Sequence, residues 1–333
     1  MATLASALRR RLGASGLTVA PVGLGCVSIA GAYGPSDDAA GIRLLHAAMD
    51  AGVDHFDTAD LYGLGHNEEI IGQAVRGRTG KVVVATKFGQ IQRNPPPNAI
   101  DGSPAYVMSA CEASLRRLGC ETIDLYYQHR LDPKVPIEET VGAMARLVEQ
   151  GKVRALGLSE VNAVTIRRAH AVHPIAVVQN EYSLLYREDA EEALAAMRER
   201  DIALVAYAPL GRSLLAGTVP SAEGFAKGDL RGTMPRFAAG NFAGNHALVD
   251  RIADFARARG CTAAQLSLAW LLAQGPDILP IPGTKRPERL AENIAAVDIH
   301  LSVAELAALD ALVPRGAATG TRYPEYLMDS INL

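Results

Sequence analysis

The stretch Val82-Val83-Val84-Ala85-Thr86-Lys87-Phe88-Gly89 decides the fold of this chain. It is a nearly continuous apolar run that ends in an ionisable side chain and a glycine, instead of an alternation of apolar and polar residues. Continuous apolar runs are typical of parallel strands that are buried on both faces. The stretch therefore predicts a parallel strand, with Lys87 where the strand gives way to a loop.

Seven further runs of this kind occur along the chain, and segments with helical periodicity lie between them. Eight strand–helix units are what a closed (β/α)₈ barrel requires. We therefore predict an α/β fold of this class, the TIM barrel. The eight predicted strands are Pro21–Leu24, Val53–Phe56, Val82–Ala85, Ile123–Tyr127, Val153–Leu158, Ala176–Gln179, Ile202–Ala206 and Ile278–Ile281.

Capping residues and glycines mark the ends of several intervening helices. Ser36 is placed to cap one helix, and Ser103 followed by Pro104 opens another. Gly151 and Gly260 lie where two more helices should stop. These positions predict where four of the helices begin or end.

Three segments are predicted to add to the barrel. Leu12–Val19 predicts an N-terminal hairpin that plugs the barrel bottom. The long connection after strand seven, from Leu210 to roughly Asn245, is predicted to be a lid loop, because loops of this length in compact domains are usually functional or disordered. Ser302-Val303-Ala304-Glu305 is a capping box that should open an extra C-terminal helix ending near Leu312.

The length and composition of the chain suit one barrel with insertions. We predict a single domain over residues 1–333, with a core of about 13–312 and a C-terminal tail of 313–333. A formal net charge of −3 without a basic run gives no footprint for nucleic acid. No apolar stretch approaches the ~18 residues of a membrane span, and no signal-peptide core opens the chain.

Cysteine usage indicates the compartment. The four cysteines lack metal-ligand spacing, so we expect reduced thiols, a cytoplasmic location and no metal. The oligomeric state stays open. The cysteines are Cys26, Cys111, Cys120 and Cys261.

Ionisable side chains lie where three of the predicted strands end. Asp57 follows the second strand, Lys87 the third and His129 the fourth, and Tyr62 comes five residues after the aspartate. The carboxyl ends of barrel strands meet on one face, where catalytic groups collect. We therefore expect these four side chains to form one site.

At the residue level the chain resembles the aldo-keto reductases from about Gly13 to Asn293. The resemblance is nearest to a subgroup of microbial, fungal and plant members of that family. The matching stretches include Phe56–Gly63, Leu156–Glu160, Gln179–Ser183, Ala206–Arg212, Ile281–Lys285 and Arg289–Asn293.

The resemblance implies NADPH-dependent reduction of aldehydes and ketones on a (β/α)₈ barrel, with NADP(H) as the cofactor and a small carbonyl compound as the substrate. The cofactor carries the hydride, and the protein positions and polarises the substrate. The positions that match the family's catalytic Asp–Tyr–Lys–His tetrad are Asp57, Tyr62, Lys87 and His129.

These four residue types suit that reaction. A tyrosine with a pKa of about 10 is a poor acid near neutrality, and a nearby ammonium lowers that pKa. We expect Lys87 to act in this way on Tyr62, while Asp57 holds the lysine charged and aimed. A neutral His129 can donate a hydrogen bond to the substrate carbonyl and orient it.

The cofactor is expected at the carboxyl ends of the later strands. A Rossmann fingerprint is absent, because Gly23-Leu24-Gly25 is followed by Cys-Val-Ser. Barrel phosphate sites commonly lie after strands seven and eight. Tyr207 can stack on the nicotinamide ring, and Ser159 and Gln179 can hydrogen-bond its carboxamide.

Two further groups are expected to hold the rest of the dinucleotide. Backbone N–H groups around Leu210, Gly211 and Ser213 are predicted to face the pyrophosphate. After the eighth strand, cations at a helix start suit a 2′-phosphate, and two residues one turn later can meet the adenine. This second group consists of Gly283, Thr284, Lys285, Arg286, Arg289, Glu292 and Asn293.

Two positions depart from many carbonyl-reducing relatives. Those relatives carry Ser-Asn for the carboxamide, where this chain has Ser159-Glu160. They also carry a lysine directly after the strand-eight proline, where this chain has Gly283. The second departure moves the expected 2′-phosphate contacts onto Lys285 and Arg289.

Residues near the expected mouth favour small aldehydes, α-dicarbonyls or moderately apolar ketones as substrates. The apolar and aromatic candidates are Tyr33, Phe88, Phe225 and Phe237, with Arg130 available for a polar substituent.

Two other classes of function remain open. A non-catalytic, NADP(H)-bound barrel subunit that senses redox state is one alternative, and the intact tetrad weighs against it. A hydrolytic or metal-dependent barrel would need clusters of His and Asp ligands at strand ends, where His129 is the only histidine that the sequence offers, with no second histidine nearby.

Overall fold

The computed structural model describes residues 3–4, 7–78, 81–91, 99–219, 221, 223 and 225–333. In it, eight parallel strands form one sheet in which each strand pairs with the next along the chain. The N–H of Gly23 donates to the carbonyl of Pro280 at 3.0 Å, which links the first strand to the last. The predicted α/β barrel fold is confirmed. The strands are β1 (Leu24–Gly25), β2 (His55–Asp57), β3 (Val83–Phe88), β4 (Ile123–Gln128), β5 (Val153–Ser159), β6 (Val177–Glu181), β7 (Ala203–Tyr207) and β8 (Ile278–Pro280).

Helices surround the sheet, and most connect one strand to the next. They are α1 (Asp38–Asp50), α2 (His66–Val75), α3 (Pro104–Leu118), α4 (Ile137–Glu149), α5 (Ala163–Val172), α6 (Glu188–Arg198), α7 (Ala239–Ala258), α8 (Ala263–Ala273), α9 (Pro287–Ala295), α10 (Val303–Leu312) and α11 (Glu325–Met328).

The helix boundaries follow the predicted signals with one exception. Ser103 caps α3 by accepting from the N–H of Tyr106, and left-handed Gly151 and Gly260 follow the ends of α4 and α7. The prediction that Ser36 caps α1 is wrong. Asp37 is the N-cap, because its carboxylate accepts from the N–H of Ala40 at 2.7 Å.

Side-chain alternation decides which residues enter the barrel. In β3, Val83 and Ala85 belong to the interior core, so Lys87 occupies the same face two residues later, at the carboxyl end. Val84 and Phe88 belong instead to the outer core, between the sheet and the helices. The period of two thus places a charged side chain at the top of the barrel interior.

The N-terminal hairpin plugs the opposite end of the barrel, as predicted. Arg10–Arg11 pairs antiparallel with Thr18–Val19. Leu12, Leu17 and Val19 pack into the interior core. This apolar plug leaves the carboxyl-end mouth as the side where polar residues gather.

The additions near the C-terminus partly match the predictions. The capping box at Ser302 opens α10, which ends at Leu312 as expected. The loop after β7 ends at Ala238 and not near Asn245, because α7 begins at Ala239. Residues 220, 222 and 224 of the predicted lid lie outside the described part of the chain. A further short helix in the tail, α11, was not predicted.

Two short strands after β3 form a separate sheet. Gln90–Ile91 pairs antiparallel with Ala99–Ile100. No helix in the described part of the chain is long and apolar enough to cross a membrane.

Candidate active site

A buried ion pair lies at the carboxyl ends of β2 and β3. The Lys87 ammonium donates to one carboxylate oxygen of Asp57 and, at 2.7 Å, to the carbonyl of Thr58. The second oxygen of Asp57 accepts from the Gln179 amide at 2.7 Å. Both charged side chains are almost fully removed from solvent. One charged network therefore links strands β2, β3 and β6.

Tyr62 and His129 adjoin this ion pair. The Lys87 nitrogen lies 5.3 Å from the centroid of the Tyr62 ring. The rings of Tyr62 and His129 meet edge to face, with centroids 5.9 Å apart at an interplanar angle of 81°. The structure thus brings together all four side chains of the predicted tetrad.

Burial lowers the pKa values of Lys87 and His129. It lowers the pKa of Lys87, and the adjacent Asp57 counteracts this effect. It also lowers the pKa of His129 well below its ordinary value, and the charges of Arg130 and Lys87 lower it further. The imidazole is therefore neutral at physiological pH, the state expected from the sequence.

The pKa of Tyr62 moves in the direction opposite to the expected one. Burial raises it well above its ordinary value, Asp57 and Tyr33 raise it further, and Arg130 opposes them. Burial is the largest of these effects, because a charged phenolate is disfavoured away from water. Tyr62 is therefore protonated at neutral pH, and the lowering effect of Lys87 on this pKa stays a prediction.

The three side chains predicted for the nicotinamide have other partners here; Ser159 and Tyr207 end their strands, and Gln179 is the middle residue of β6. Gln179 donates to Asp57, as described above. Ser159 accepts from Arg130 at 3.3 Å, and the Tyr207 hydroxyl lies 3.1 Å from that of Tyr323. A nicotinamide would therefore have to exchange some of these contacts for its own.

The predicted pyrophosphate segment is the 3₁₀ turn Gly211–Ser213, just after β7. The N–H of Gly211 donates to Ala208 at 2.8 Å, and the N–H of Ser213 donates to Leu210 at 3.1 Å. Ala208, Arg212 and Ser213 have positive φ, a conformation that costs energy in residues with a side chain and clusters at functional sites. The turn is strained, and two of its predicted donors are used within it.

The lysine after β8 is held by backbone oxygens. Lys285 donates to the carbonyls of Tyr33, Gly34 and Pro35 at 3.1, 3.2 and 2.9 Å. Its ammonium therefore ties this segment to the loop that follows β1. Any phosphate bound by Lys285 would replace at least one of these carbonyls.

The other predicted residues after β8 surround the start of α9. Arg286 is its N-cap and pairs with Glu288, while Arg289 pairs with Glu292 at 2.6 Å. Asn293 is buried within the helix. Gly283 and Thr284 lie against the loop after β1: a Cβ on Gly283 would sit 2.9 Å from the Gly25 carbonyl, and the Thr284 carbonyl accepts from Ser28 at 3.1 Å.

Comparison with known proteins gives the family. The sequence profile described as "Aldo/keto reductase family" matches residues 21–314. The chain belongs to the aldo/keto reductase family. It is therefore an oxidoreductase.

Several relatives of this aldo/keto reductase are similar along most of their length. A probable aldo-keto reductase 1 of Glycine max is 45% identical over 315 residues, which cover 94% of this chain and 91% of the relative. The solved glycerol dehydrogenase of Gluconobacter oxydans is 33% identical, with a TM-score of 0.82 and coverage of 92% and 95%. An aldo-keto reductase of Klebsiella pneumoniae in complex with NADPH is 30% identical, with a TM-score of 0.74 and coverage of 95% and 99%.

The sequence analysis missed a buried ionic cluster that the C-terminal tail of the reductase completes. Arg322, only 1% exposed, donates to both oxygens of Glu160 at 2.9 and 2.7 Å and to Asp189 at 2.6 Å. Burial disfavours the Glu160 carboxylate, but Arg322 outweighs it and lowers the pKa. The departure at Glu160 was the available signal, since a buried carboxylate requires a cationic partner.

A second carboxylate ties the tail to the segment after β7. Glu181 accepts from Arg212 and from Arg236, each at 3.0 Å, and lies 3.9 Å from Arg322. The Tyr323 ring, next in the chain, lies 4.9 Å from the Arg212 guanidinium. The tail therefore lies over the mouth of the barrel, against Tyr207.

The residues proposed for the substrate pocket separate into two groups. The prediction that Phe88 lines the substrate pocket is wrong. Phe88 packs in the outer core, where it stacks on Tyr126 with ring centroids 4.9 Å apart. Phe225 and Phe237 meet edge to face at 5.6 Å. Tyr33 joins that pair through Arg231, whose guanidinium lies 5.4 Å from the Tyr33 ring and 5.1 Å from that of Phe225.

Metal-binding chemistry has no evident site in the described residues. They contain no group of three or more His, Cys, Asp or Glu side chains that could hold a metal ion.

The tail cluster generates a stability prediction. Arg322→Met leaves the buried Glu160 without its ion-pair partner, so it should lower the free energy of unfolding by about 3–5 kcal/mol. Arg315→Met in the same tail is the matched control. Arg315 is half exposed in its pairs with Glu191 and Glu192, and its loss should cost no more than about 1 kcal/mol. Urea unfolding of both variants measures this difference, and equal losses would contradict a structural role for the cluster.

Proposed function

We propose that this aldo/keto reductase reduces aldehydes and ketones to alcohols with NADPH. The observation that carries the proposal is the Lys87–Asp57 ion pair, buried beside the edge contact of Tyr62 and His129. A buried ion pair is weak evidence of a stabilising role, because its desolvation cost can exceed its Coulombic gain. Perturbed titratable groups that converge at strand ends are instead typical of catalytic sites.

The proposed catalytic roles follow from the charge states. Neutral His129 donates a hydrogen bond to the substrate carbonyl oxygen, which polarises and orients it. Tyr62, kept protonated by its raised pKa, gives its proton to that oxygen as negative charge develops. The transfer is favourable because an alkoxide is a stronger base than a phenolate.

The ion pair serves the same proton transfer. The Lys87 ammonium, 5.3 Å from the Tyr62 ring centroid, stabilises the phenolate that remains. Asp57 keeps that ammonium charged in a dry environment, and Gln179 fixes the carboxylate. Loss of any of these side chains should therefore affect the chemical step.

The residues at the later strand ends fit NADP(H). The half-buried Tyr207 ring at the end of β7 can cover the nicotinamide, and the cations at the start of α9 suit a 2′-phosphate. Gly283 lies where a side chain would strike the Gly25 carbonyl, so the backbone approaches closely there. When bound, NADPH supplies the hydride. The NADPH complex of the Klebsiella pneumoniae relative supports this choice.

The proposal is tested by NADPH consumption, followed by absorbance, against a panel of aldehydes, α-dicarbonyls and ketones. We expect measurable turnover with several of them. No turnover with any member would contradict carbonyl reduction and favour a non-catalytic, NADP(H)-bound barrel.

The role of Tyr62 predicts a specific defect. Tyr62→Phe removes the proton donor and keeps the ring, so kcat should fall by about 10²–10⁴-fold while NADPH affinity changes little. Tyr326→Phe is the matched control, because Tyr326 is 65% exposed on α11. A Tyr62→Phe variant that keeps most of the wild-type kcat would refute the assignment.

The cations after β8 predict the choice of cofactor. Arg289→Ala, alone or with Lys285→Ala, should weaken NADPH binding by about tenfold to a hundredfold and NADH binding much less, since NADH lacks the 2′-phosphate. Added salt should reduce the difference between the effects on NADPH and NADH binding, because salt screens the attraction between the cations and the 2′-phosphate. Intrinsic-fluorescence titrations measure both affinities, with exposed Arg257→Ala on α7 as the control. Equal affinities of the wild-type protein for the two cofactors would contradict this assignment.

A further inference from the structure

Arg130 differs from the other buried arginines of the described chain. Four of the five have a carboxylate partner, whereas Arg130 forms no ion pair with any described residue. Burial of a charge without a counter-charge is costly, so buried charges are normally paired. The paired arginines are Arg187 with Asp310, Arg212 and Arg236 with Glu181, and Arg322 with Glu160 and Asp189.

The hydrogen-bond partners of Arg130 are all neutral. Its guanidinium donates to the His129 carbonyl at 2.8 Å, to the Ser159 hydroxyl at 3.3 Å and to the Tyr323 hydroxyl at 3.4 Å. The last of these is long for a hydrogen bond and easily replaced. Glu160 acts on Arg130 electrostatically, but both of its oxygens are used by Arg322.

The position of Arg130 is next to the proposed reacting centre. It follows His129 directly in the chain. Its positive charge lowers the pKa of Tyr62, although burial raises that pKa by more. Arg130 lines a cavity of about 20 Å³ together with Gln90 and with tail residues, Tyr323 among them. That volume holds about one water molecule, so an anion at Arg130 has to displace the tail side chains that cover it.

We propose that Arg130 binds an anionic group of the substrate, so that the preferred substrates are carbonyl compounds carrying a carboxylate. A planar guanidinium matches a carboxylate through two parallel hydrogen bonds. Arg130 is then the specificity-determining residue of the reaction. This inference rests on the proposed function.

Matched substrates that differ only in charge test it. We compare kcat/KM for meta- and para-carboxybenzaldehyde with kcat/KM for the corresponding carbamoylbenzaldehydes. The ratio of carboxylate to amide should exceed one in at least one pair for the wild-type protein. In Arg130→Met that ratio should fall by about tenfold or more, since a hydrogen bond to a charged group is lost.

Two further variants and one inhibitor sharpen the comparison. Arg130→Lys keeps the charge without the planar fork and should give an intermediate ratio, whereas exposed Arg257→Met on α7 should keep the wild-type ratio. If Arg130→Met does not fold, the wild-type protein still decides the question. Isophthalate, whose second carboxylate can bind Arg130 while the first accepts from Tyr62 and His129, should then compete with a neutral aldehyde more strongly than 3-carbamoylbenzoate does.

The possible failures are distinguishable. Turnover of the neutral amides with no preference for either carboxylate, no stronger inhibition by isophthalate than by 3-carbamoylbenzoate, or an unchanged ratio in Arg130→Met, would overturn the role of Arg130 and leave carbonyl reduction intact. No turnover of any aldehyde with NADPH would overturn the proposed function, and this inference with it.

Discussion

The site at the mouth of the barrel depends on keeping one ammonium group dry and charged. Moving such an ion out of water costs several kcal/mol even after the protein relaxes. Asp57, the Thr58 carbonyl and the Gln179 amide together compensate Lys87, and they come from β2, the residue that follows it and β6. The same interaction therefore joins separate strands and fixes the charge beside the Tyr62 ring.

A second ionic cluster joins the C-terminal tail to the segment after β7 at the mouth of the barrel. Glu181 is shared by Arg212 of the turn after β7 and by Arg236 beyond it, and Arg322 brings the tail within 3.9 Å. The strained turn proposed for the pyrophosphate is thus connected to the segment that covers Tyr207.

The ionisable residues at the strand ends could be predicted from the sequence, because strand positions and side-chain alternation are local features of the chain. Apolar runs gave the strands, and side-chain alternation places Lys87 inward after Val83 and Ala85. The same rule would have excluded Phe88, which lies one residue out of phase. The Arg322–Glu160 pair could not be predicted, since it joins residues 162 positions apart. The raised pKa of Tyr62 depends on burial and on Asp57, which only the packed structure reveals.

The measurement that tests this account most directly is a double-mutant cycle on the ion pair by urea unfolding. Asp57→Asn and Lys87→Met each leave a buried group without its partner, so each should cost about 3–5 kcal/mol of unfolding free energy. The double variant should cost less than the sum of the two, by about 1–3 kcal/mol. Additive losses would contradict the claim that these two side chains act as one unit on which the site is built.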